Sequence, residues 1–443
     1  MKTVFISSFH ALISRNILET EILPRIAAKA KVVLLVPEGK VAYFKEEFGS
    51  ERVSIEGVSA PKKPGEDEFL LWSMSLVGTE NHIVRGWKTE GKRLRYYAAH
   101  FIHGAFGSFF PLHRLLRFFA TTLFRSNAFD AAFAAHRPDL VFATDSFNRE
   151  DRLLLIEAKR RGIPTVGMIR SWDNATTKGV FLSVPDRVLV TNEVLGEEMR
   201  AIHRVDAGRI EVTGIPHYDP RPAPTPEGKE RFCREVGLDP LKKTILLAPG
   251  GKILYQHDRE LLALLKRLVD TGRFEAPVQF LVRFPPGDTV DTSSIEGDPN
   301  FAVDDPGTNV TGRKKESEMS RKDNDRLADS LTYSDVVLTL ASTMAIDGMV
   351  FGKPVVIFGF DPLPNLPDPM SKFSAYVHLR KFLGSGLITI SRSEEELVEH
   401  LNTYLKNPAH DKEKREKLLA RYAYALDGKS SERVATAVLG ALS

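Results

Sequence analysis

Several short apolar runs in this sequence give way at once to small, hydroxylic or charged residues, as where a buried parallel strand presents side chains to solvent at its carboxyl end. The sharpest lies between Asp335 and Pro354. A strand ending near Leu340 is followed by Ser342 and Thr343 at the start of a helix, with Asp347 one turn further on. Free backbone N–H groups and the positive end of the helix dipole would receive a phosphate there, and Asp347 would accept from a ribose or sugar hydroxyl. The same residues also suit an ordinary helix cap. Gly250, Gly251 and Lys252 follow the apolar run Thr244–Ala248, so backbone and ammonium can approach a phosphate closely, although a plain glycine turn fits as well. Arg283 closes the run that starts at Val278, where a guanidinium serves either a diphosphate or a surface ion pair.

The first half of the chain supplies the candidates for proton transfer. Asp173 stands beside Trp172, Asn174 and Lys178 after an apolar run, combining a surface for stacking a sugar with groups that bond hydroxyls. Asp145 and His10 occupy two further run ends, Thr144–Ser146 and Ser7–His10. As the base that takes a proton from an acceptor hydroxyl, Asp173 ranks first, Asp145 second and His10 third. No Asp-x-Asp pair stands at a strand end, so negative charge would be met by the Ser342–Thr343 helix end and Arg283 rather than by a metal. No cofactor is expected.

These residues need a frame to hold them. Apolar runs at Val4–Ser7, Val32–Val36, Leu140–Thr144, Thr165–Ile169, Arg187–Thr191 and Ile210–Thr213 alternate with helical patterns such as Asn16–Lys29 and Asp151–Arg161. That alternation predicts a parallel sheet covered on both faces. From Pro216 to Pro226 five of eleven residues are proline, which no helix interior or central strand accepts. The alternation then resumes with strands predicted at Thr244–Ala248, Val278–Val282, Asp335–Leu340, Pro354–Phe358 and Leu387–Ile390. Asp304–Asp325 reads as a long charged loop, and Lys412–Leu442 as one or two terminal helices. The fold class is therefore α/β: two Rossmann-like lobes with a cleft between them. The lobes are expected at 1–215 and 229–443, joined by a Pro-rich linker at 216–228.

The segment 81–125 is of a different kind. Eight basic residues face one acid, Glu90, giving +7 there against a net charge of +3 for the chain. Trp87, Tyr96, Tyr97, Phe101, Phe106, Phe109, Phe110, Phe118, Phe119 and Phe124 are interleaved with them. Basic helices with aromatic faces suit an anionic membrane surface, and equally suit packing on a lobe with a solvated basic face. No recognition module accompanies the charge, so nucleic acid is not an expected partner. The 42% hydrophobic and 27% charged composition of 443 residues fits a globular chain of about two or three domains. A single cysteine, Cys233, excludes an internal disulfide and reads as a small buried hydrophobe. The apolar start at Met1–Ser8 is too short for a signal peptide and reads as a first strand, and no run is long enough to span a bilayer.

The strand–Ser-Thr–helix segment resembles the donor-binding segment of GT-B transferases that build bacterial surface polysaccharides and teichoic-acid-like polymers. The resemblance implies that Ser342 and Thr343 contact the donor diphosphate and Asp347 the nucleotide sugar, although many members have Glu at that last position. It extends to Asp325–Ser334, the helix leading into the strand. Phe280–Pro286 resembles the Arg-x-His-Pro strand end of the same transferases, with Phe284 in place of His, and it carries over Arg283 alone. The implied function is transfer of a sugar from a nucleotide-diphosphate donor to a glycan or lipid-linked acceptor. The implied location is cytoplasmic, at the inner face of a plasma membrane. The alternatives are a sugar-nucleotide epimerase of the UDP-GlcNAc 2-epimerase kind, which shares the fold, and a non-catalytic scaffold of a polysaccharide assembly complex.

Overall fold

The computed structural model describes residues 1–107, 109–219, 223–307, 318–363 and 376–442. The chain forms two compact units, the first Met1–Asp219 with Tyr376–His378 and Arg421–Ser443, the second Pro220–Ala375 with Leu379–Ala420.

The first unit holds seven parallel strands: β1 (Thr3–Ser7), β2 (Lys31–Pro37), β3 (Val53–Val58), β4 (Leu140–Ala143), β5 (Thr165–Met168), β6 (Arg187–Val190) and β7 (Ile210–Val212). Their order is β3-β2-β1-β4-β5-β6-β7. Every residue of β1 is buried, because it lies between β2 and β4 with helices on both faces. Val4 and Ile6 enter one core with Ile22 and Ile26, while Phe5 enters the opposite core with Phe129, Phe133 and Leu154. The second unit has six parallel strands: β8 (Lys243–Ala248), β9 (Val278–Arg283), β10 (Phe301–Asp304), β11 (Val336–Thr339), β12 (Val355–Phe358) and β13 (Thr389–Ser391). They run in the order β10-β9-β8-β11-β12-β13.

The sequence pattern missed the edge strands β3 and β10. Each pairs with one neighbour only, so neither carries the continuous apolar run of an interior strand. In β3 the apolar residues alternate with Ser54 and Glu56, and in β10 Val303 is exposed. Because β10 ends at Asp304 and a helix spans Arg321–Tyr333, the charged loop expected over Asp304–Asp325 is shorter than its sequence implied. Residues 308–317 of it lie outside the described residues. The helix expected over Asn16–Lys29 is broken into a π-helical turn, Ser14–Leu18, and a helix Ile22–Ala27. Pro24 falls in the first turn of the latter, where its missing N–H breaks no helical bond.

The domain boundaries also move. Within the expected 216–228 linker, Pro216–Tyr218 forms a 3₁₀ turn and a helix already starts at Pro226, capped by the Thr225 hydroxyl, which accepts from Gly228 N. Pro220, Arg221 and Pro222 lie outside the described residues. The terminal helix Ser430–Gly440, expected in the 229–443 lobe, belongs to the first unit. Its Val434, Ala435 and Val438 join the core of Val4 and Ile6. The Asp219 carboxylate fixes its start by accepting from the N–H groups of Ser430 at 2.9 Å and Ser431 at 2.6 Å, favourable at a positive helix end. Cys233 is buried on the helix Pro226–Val236.

Candidate active site

In an open parallel sheet ligands bind beyond the strand carboxyl ends, where the strand order reverses. That point is β1/β4 in the first unit and β8/β11 in the second. The residues that follow these four strands include most of those singled out from sequence: Ser7–His10, Thr144–Asp145, Gly250–Lys252 and Ser342–Thr343.

At β1/β4 the Ser7 hydroxyl donates to Asp151, the N–H of Asp145 donates to the same Asp151 oxygen at 3.2 Å, and Asn148 Nδ2 reaches its other oxygen at 3.0 Å. Burial, with the charge of Asp145 beside it, pushes the Asp151 carboxyl up to about 7. Asp145 itself is buried; its Oδ2 accepts from Arg170 Nε at 2.7 Å, and its Oδ1 has no protein partner. His10 belongs to the same group of charges. Its imidazole is pushed down to about 4 by burial first and then by Arg170, against the opposing pull of Asp145. The ring is therefore neutral near pH 7. Its Nδ1 accepts the N–H of Leu12 at 3.2 Å, which assigns the ring proton to Nε2.

Asp173 is adjacent but differently employed. It precedes the short helix Asn174–Thr177, accepts the Ser171 hydroxyl on one oxygen and the Thr177 hydroxyl at 3.2 Å on the other. Burial raises its pKa, but the Ser171 bond and the neighbouring His378, Arg170 and Lys178 outweigh that and hold it below the usual carboxylate range. A carboxylate so held organises its loop more readily than it takes a proton. Trp172 is half-buried, edge-on to His378 at 5.1 Å and to Tyr422 at 5.6 Å. Sequence reasoning ranked the acids but missed Arg170 and Asp151, which bring His10 and Asp145 into one electrostatic unit. The available signal was an acid in the first turn of a helix directly after a strand end.

At β8/β11, Thr339 closes β11 by donating to Ala248 O at 3.1 Å and pairing with the Ser342 hydroxyl at 3.0 Å. The helix Met344–Val350 follows; Thr343 precedes it in helical geometry, makes no side-chain cap and is exposed. Asp347 is buried in this helix.

Two expected phosphate contacts are committed elsewhere. The N–H groups of Gly250 and Gly251 donate to Asp258 Oδ1 at 3.1 Å and Oδ2 at 2.7 Å, so a carboxylate of the chain occupies the cradle proposed for a phosphate. Burial raises that carboxyl to about 6 despite the two bonds. The glycines answer to packing: a Cβ on Gly250 would stand 2.6 Å from Leu340 and Tyr255 side chains, and Gly251 has φ +69°. Lys252 is exposed beside them. Arg283 is buried, ion-paired to Asp304, and donates to the carbonyl of Asp323 at 3.0 Å, joining β9, β10 and the helix Arg321–Tyr333. It holds the unit together instead of reaching toward a ligand. Among the described residues no group of three or more His, Cys, Asp or Glu side chains is placed to hold a metal ion.

The 81–125 segment forms the helices His82–Thr89, Arg93–Phe106 and Phe110–Leu123. Part of its charge is internal: Arg85 pairs with Glu80 at 2.7 Å, Lys92 with Glu90 at 2.7 Å, and Arg95 with Glu68 at 2.6 Å while lying over Trp72 and Trp87. Trp87 and Phe124 are buried, whereas Phe101 is 71% and Phe118 64% exposed, alongside exposed Leu94, Tyr97, Phe109, Leu115 and Leu123. Among the described residues, nine of the fourteen large hydrophobic side chains left exposed fall between positions 94 and 123. No helix among the described residues is long and apolar enough to cross a membrane.

Two Rossmann-like α/β units define a GT-B-type fold, and solved structures share it. The wall teichoic acid polymerase TagF, a variant soaked with CDPG, is 14% identical at a TM-score of 0.53, covering 100% of this chain and 89% of that one. UDP-GlcNAc 2-epimerase from Neisseria meningitidis, bound to UDP-GlcNAc, is 11% identical at 0.51, covering 99% and 100%. The glycotransferase of kitacinnamycin is 15% identical at 0.51, covering 100% and 99%. Residues 304–440, which include Ser342, Thr343 and Asp347, match the family model of CDP-glycerol:poly(glycerophosphate) glycerophosphotransferase. No curated protein matches the sequence.

Proposed function

We propose that the protein is a glycosyltransferase of surface-polymer synthesis, moving a sugar from a nucleotide-diphosphate donor to a glycan or lipid-linked acceptor. The observation that carries this reading is the β8/β11 switch point. Exposed Thr343 and half-buried Ser342 stand at a helix start inside the one segment that also matches a family using a nucleotide-diphosphate donor. Thr343 and the adjacent N–H groups would receive the donor diphosphate, where a helix end stabilises the charge that builds on the leaving group. Asp347, buried on the same helix, would face the nucleotide sugar.

Proton handling falls to the first unit. There Asp145, with one oxygen unpartnered and the other fixed by Arg170, is the base we put forward, and the neutral His10 ring donates from Nε2 to the acceptor oxygen. Asp173 takes the lesser part of organising the loop that carries Arg170 and Lys178. Attack by the acceptor hydroxyl on the anomeric carbon would break the bond to the diphosphate and release a nucleoside diphosphate. The exposed aromatic surface of residues 94–123, with Arg93 and Arg125, supports peripheral attachment to an anionic membrane carrying the acceptor.

The test is incubation with UDP-sugars and CDP-glycerol, with and without a lipid-linked acceptor, followed by nucleotide analysis. Acceptor-dependent release of a nucleoside diphosphate supports glycosyl transfer. Release of CMP from CDP-glycerol would instead mark glycerophosphate transfer, and acceptor-independent formation of UDP and ManNAc from UDP-GlcNAc would mark epimerisation.

A further inference from the structure

A cavity of about 400 Å³ opens in the first unit near the amino ends of β6 and β7, the edge of the sheet opposite to His10, Asp145 and Arg170. Five of its lining side chains are cationic: Arg114, Arg117, Lys159, Arg204 and Arg209. The one acid among the lining residues, Asp206, has an oxygen taken by the N–H of Gly208 at 2.7 Å.

Among the lining residues cations outnumber acids five to one, and backbone carbonyls, not carboxylates, take several of their donors: Arg209 reaches the carbonyl of Pro185 at 3.3 Å. Arg117 donates to the carbonyls of Phe181, at 3.0 Å, and of His203, and Lys159 to the carbonyl of Val184. Burial lowers the Arg117 pKa to about 10, and Arg114 acts in the same direction. Lys159 is likewise lowered by burial, with Arg209 and Arg117 adding to the effect against Asp186. Cations gathered at this density repel one another unless an anion joins them. An uncharged donor is also in place: Ser183 lines the cavity, is 3% exposed, and its hydroxyl has no protein partner. A buried hydroxyl left unbonded is unfavourable, and a bound oxyanion would satisfy it.

The rim supplies the second half of the argument. Phe118 lines the cavity yet is 64% exposed, and on the same helix Leu115 and Leu123 are exposed as well. A cationic chamber continuous with an exposed apolar helix face fits an amphiphile with a phosphate head.

We infer that this cavity binds the phosphate headgroup of an anionic lipid, with the acyl chains lying along the exposed face of the helix Phe110–Leu123. Arg204, Arg209 and Lys159 supply the charge, and Ser183 donates a hydrogen bond to a phosphate oxygen. The inference deepens the membrane attachment proposed above and rests on it.

The test uses the full chain with monomeric dihexanoyl phosphatidic acid, with inorganic phosphate, and with phosphatidylcholine vesicles containing either phosphatidic acid or oleate at matched surface charge. The site requires tighter binding of dihexanoyl phosphatidic acid than of inorganic phosphate, and preference for phosphatidic acid over oleate vesicles. Arg209→Glu should weaken dihexanoyl phosphatidic acid binding about tenfold or more, as loss of a charged hydrogen bond implies. Ser183→Ala should weaken it severalfold with an unchanged melting temperature, whereas Lys29→Glu, which reverses an exposed charge away from the cavity, should leave it within about twofold. Equal losses from Lys29→Glu and Arg209→Glu would overturn the site while leaving membrane attachment intact. Equal affinity for inorganic phosphate and dihexanoyl phosphatidic acid would overturn the lipid assignment. Failure of the wild-type chain to bind any of the phosphatidic acid probes would remove both readings.

Discussion

Arg170 donates from Nε to Oδ2 of Asp145 at 2.7 Å, joining the loop after β5 to the loop after β4 across twenty-five residues of chain. The pair is largely buried, and the same guanidinium depresses the protonation of both His10 and Asp173. One cation therefore pairs with Asp145 and adds to the shifts of two groups that sequence reasoning had to treat separately, after burial for His10 and after the Ser171 bond and His378 for Asp173. It also separates their roles, because Asp145 keeps an oxygen unpartnered while Asp173 spends both on its own loop.

The first prediction follows from that difference. Asp145→Asn keeps the shape and removes proton acceptance, so kcat should fall on the order of a hundredfold or more with donor affinity retained. Asp173→Asn should act mainly on stability, lowering the melting temperature and reducing kcat by a smaller factor. Steady-state kinetics paired with calorimetric donor titration decides between them. A larger kcat loss from Asp173→Asn would restore that residue as the base.

The second concerns pH and Asp151. Its folded carboxyl is raised from 3.8 to about 7, so between those values the folded state holds more protons than the unfolded one. Its contribution to stability is complete below about pH 4 and is lost as pH rises toward 7. Asp151→Asn removes the ionisable group, and Asn148 can turn its amide to bond the new one. The variant should match the parent near pH 4 and exceed it by roughly 2–4 kcal/mol at pH 8, because each tenfold difference in proton affinity between the folded and unfolded states is worth about 1.4 kcal/mol. Denaturant unfolding at the two pH values reads this directly. A stability gap that does not widen with pH would mean Asp151 ionises normally.

The third contrasts the two kinds of residue in the second unit. Thr343→Val, at an exposed position without a capping bond, should leave the melting temperature unchanged and weaken nucleoside-diphosphate binding by about 1.5–3 kcal/mol. Arg283→Ala should do the reverse. It strips Asp304 of its buried partner and should cost about 3–5 kcal/mol of stability, and nucleotide affinity should persist in whatever fraction remains folded. Calorimetry and thermal unfolding on both variants test the pair of claims, and weakened binding by folded Arg283→Ala would return the arginine to the site.

These contrasts mark what was legible in the sequence. Interior strands such as β1 and β8 announce themselves, because burial on both faces demands unbroken apolar runs, and their ends locate Ser7, Gly250 and Ser342. What a polar residue does after the strand ends depends on partners that the local pattern does not name. Gly250 and Gly251 read as a phosphate cradle because nothing local reveals that Asp258 folds back into it. Arg283 read as a ligand contact because Asp304 belongs to β10, an edge strand without an apolar signature. The terminal helix was assigned to the wrong unit for the same reason: its apolar face of Val434, Ala435 and Val438 states that it packs, not on which sheet.

The last prediction concerns the membrane and requires variants chosen by exposure. Reversing every arginine of the 81–125 segment would be uninformative. Arg117 is held by two backbone carbonyls, and Arg95 is paired with Glu68 over two tryptophans, so their loss would disturb packing. Arg93 and Arg125 are exposed and suit a test of charge; Phe101 and Phe118, at 71% and 64% exposure, suit a test of insertion. The wild-type chain should sediment with phosphatidylcholine vesicles containing phosphatidylglycerol and much less with phosphatidylcholine alone. Arg93→Glu with Arg125→Glu should weaken binding most at low salt, because exposed charges are screened over about 8 Å at physiological ionic strength. Phe101→Ser with Phe118→Ser should remove the part of binding that survives high salt, since apolar burial does not depend on screening. Both double variants should keep the wild-type melting temperature and nucleoside-diphosphate affinity, as none of these side chains belongs to a core or to the second unit. Equal sedimentation with neutral and anionic vesicles, or none with either, would instead mean that this aromatic face is covered by protein.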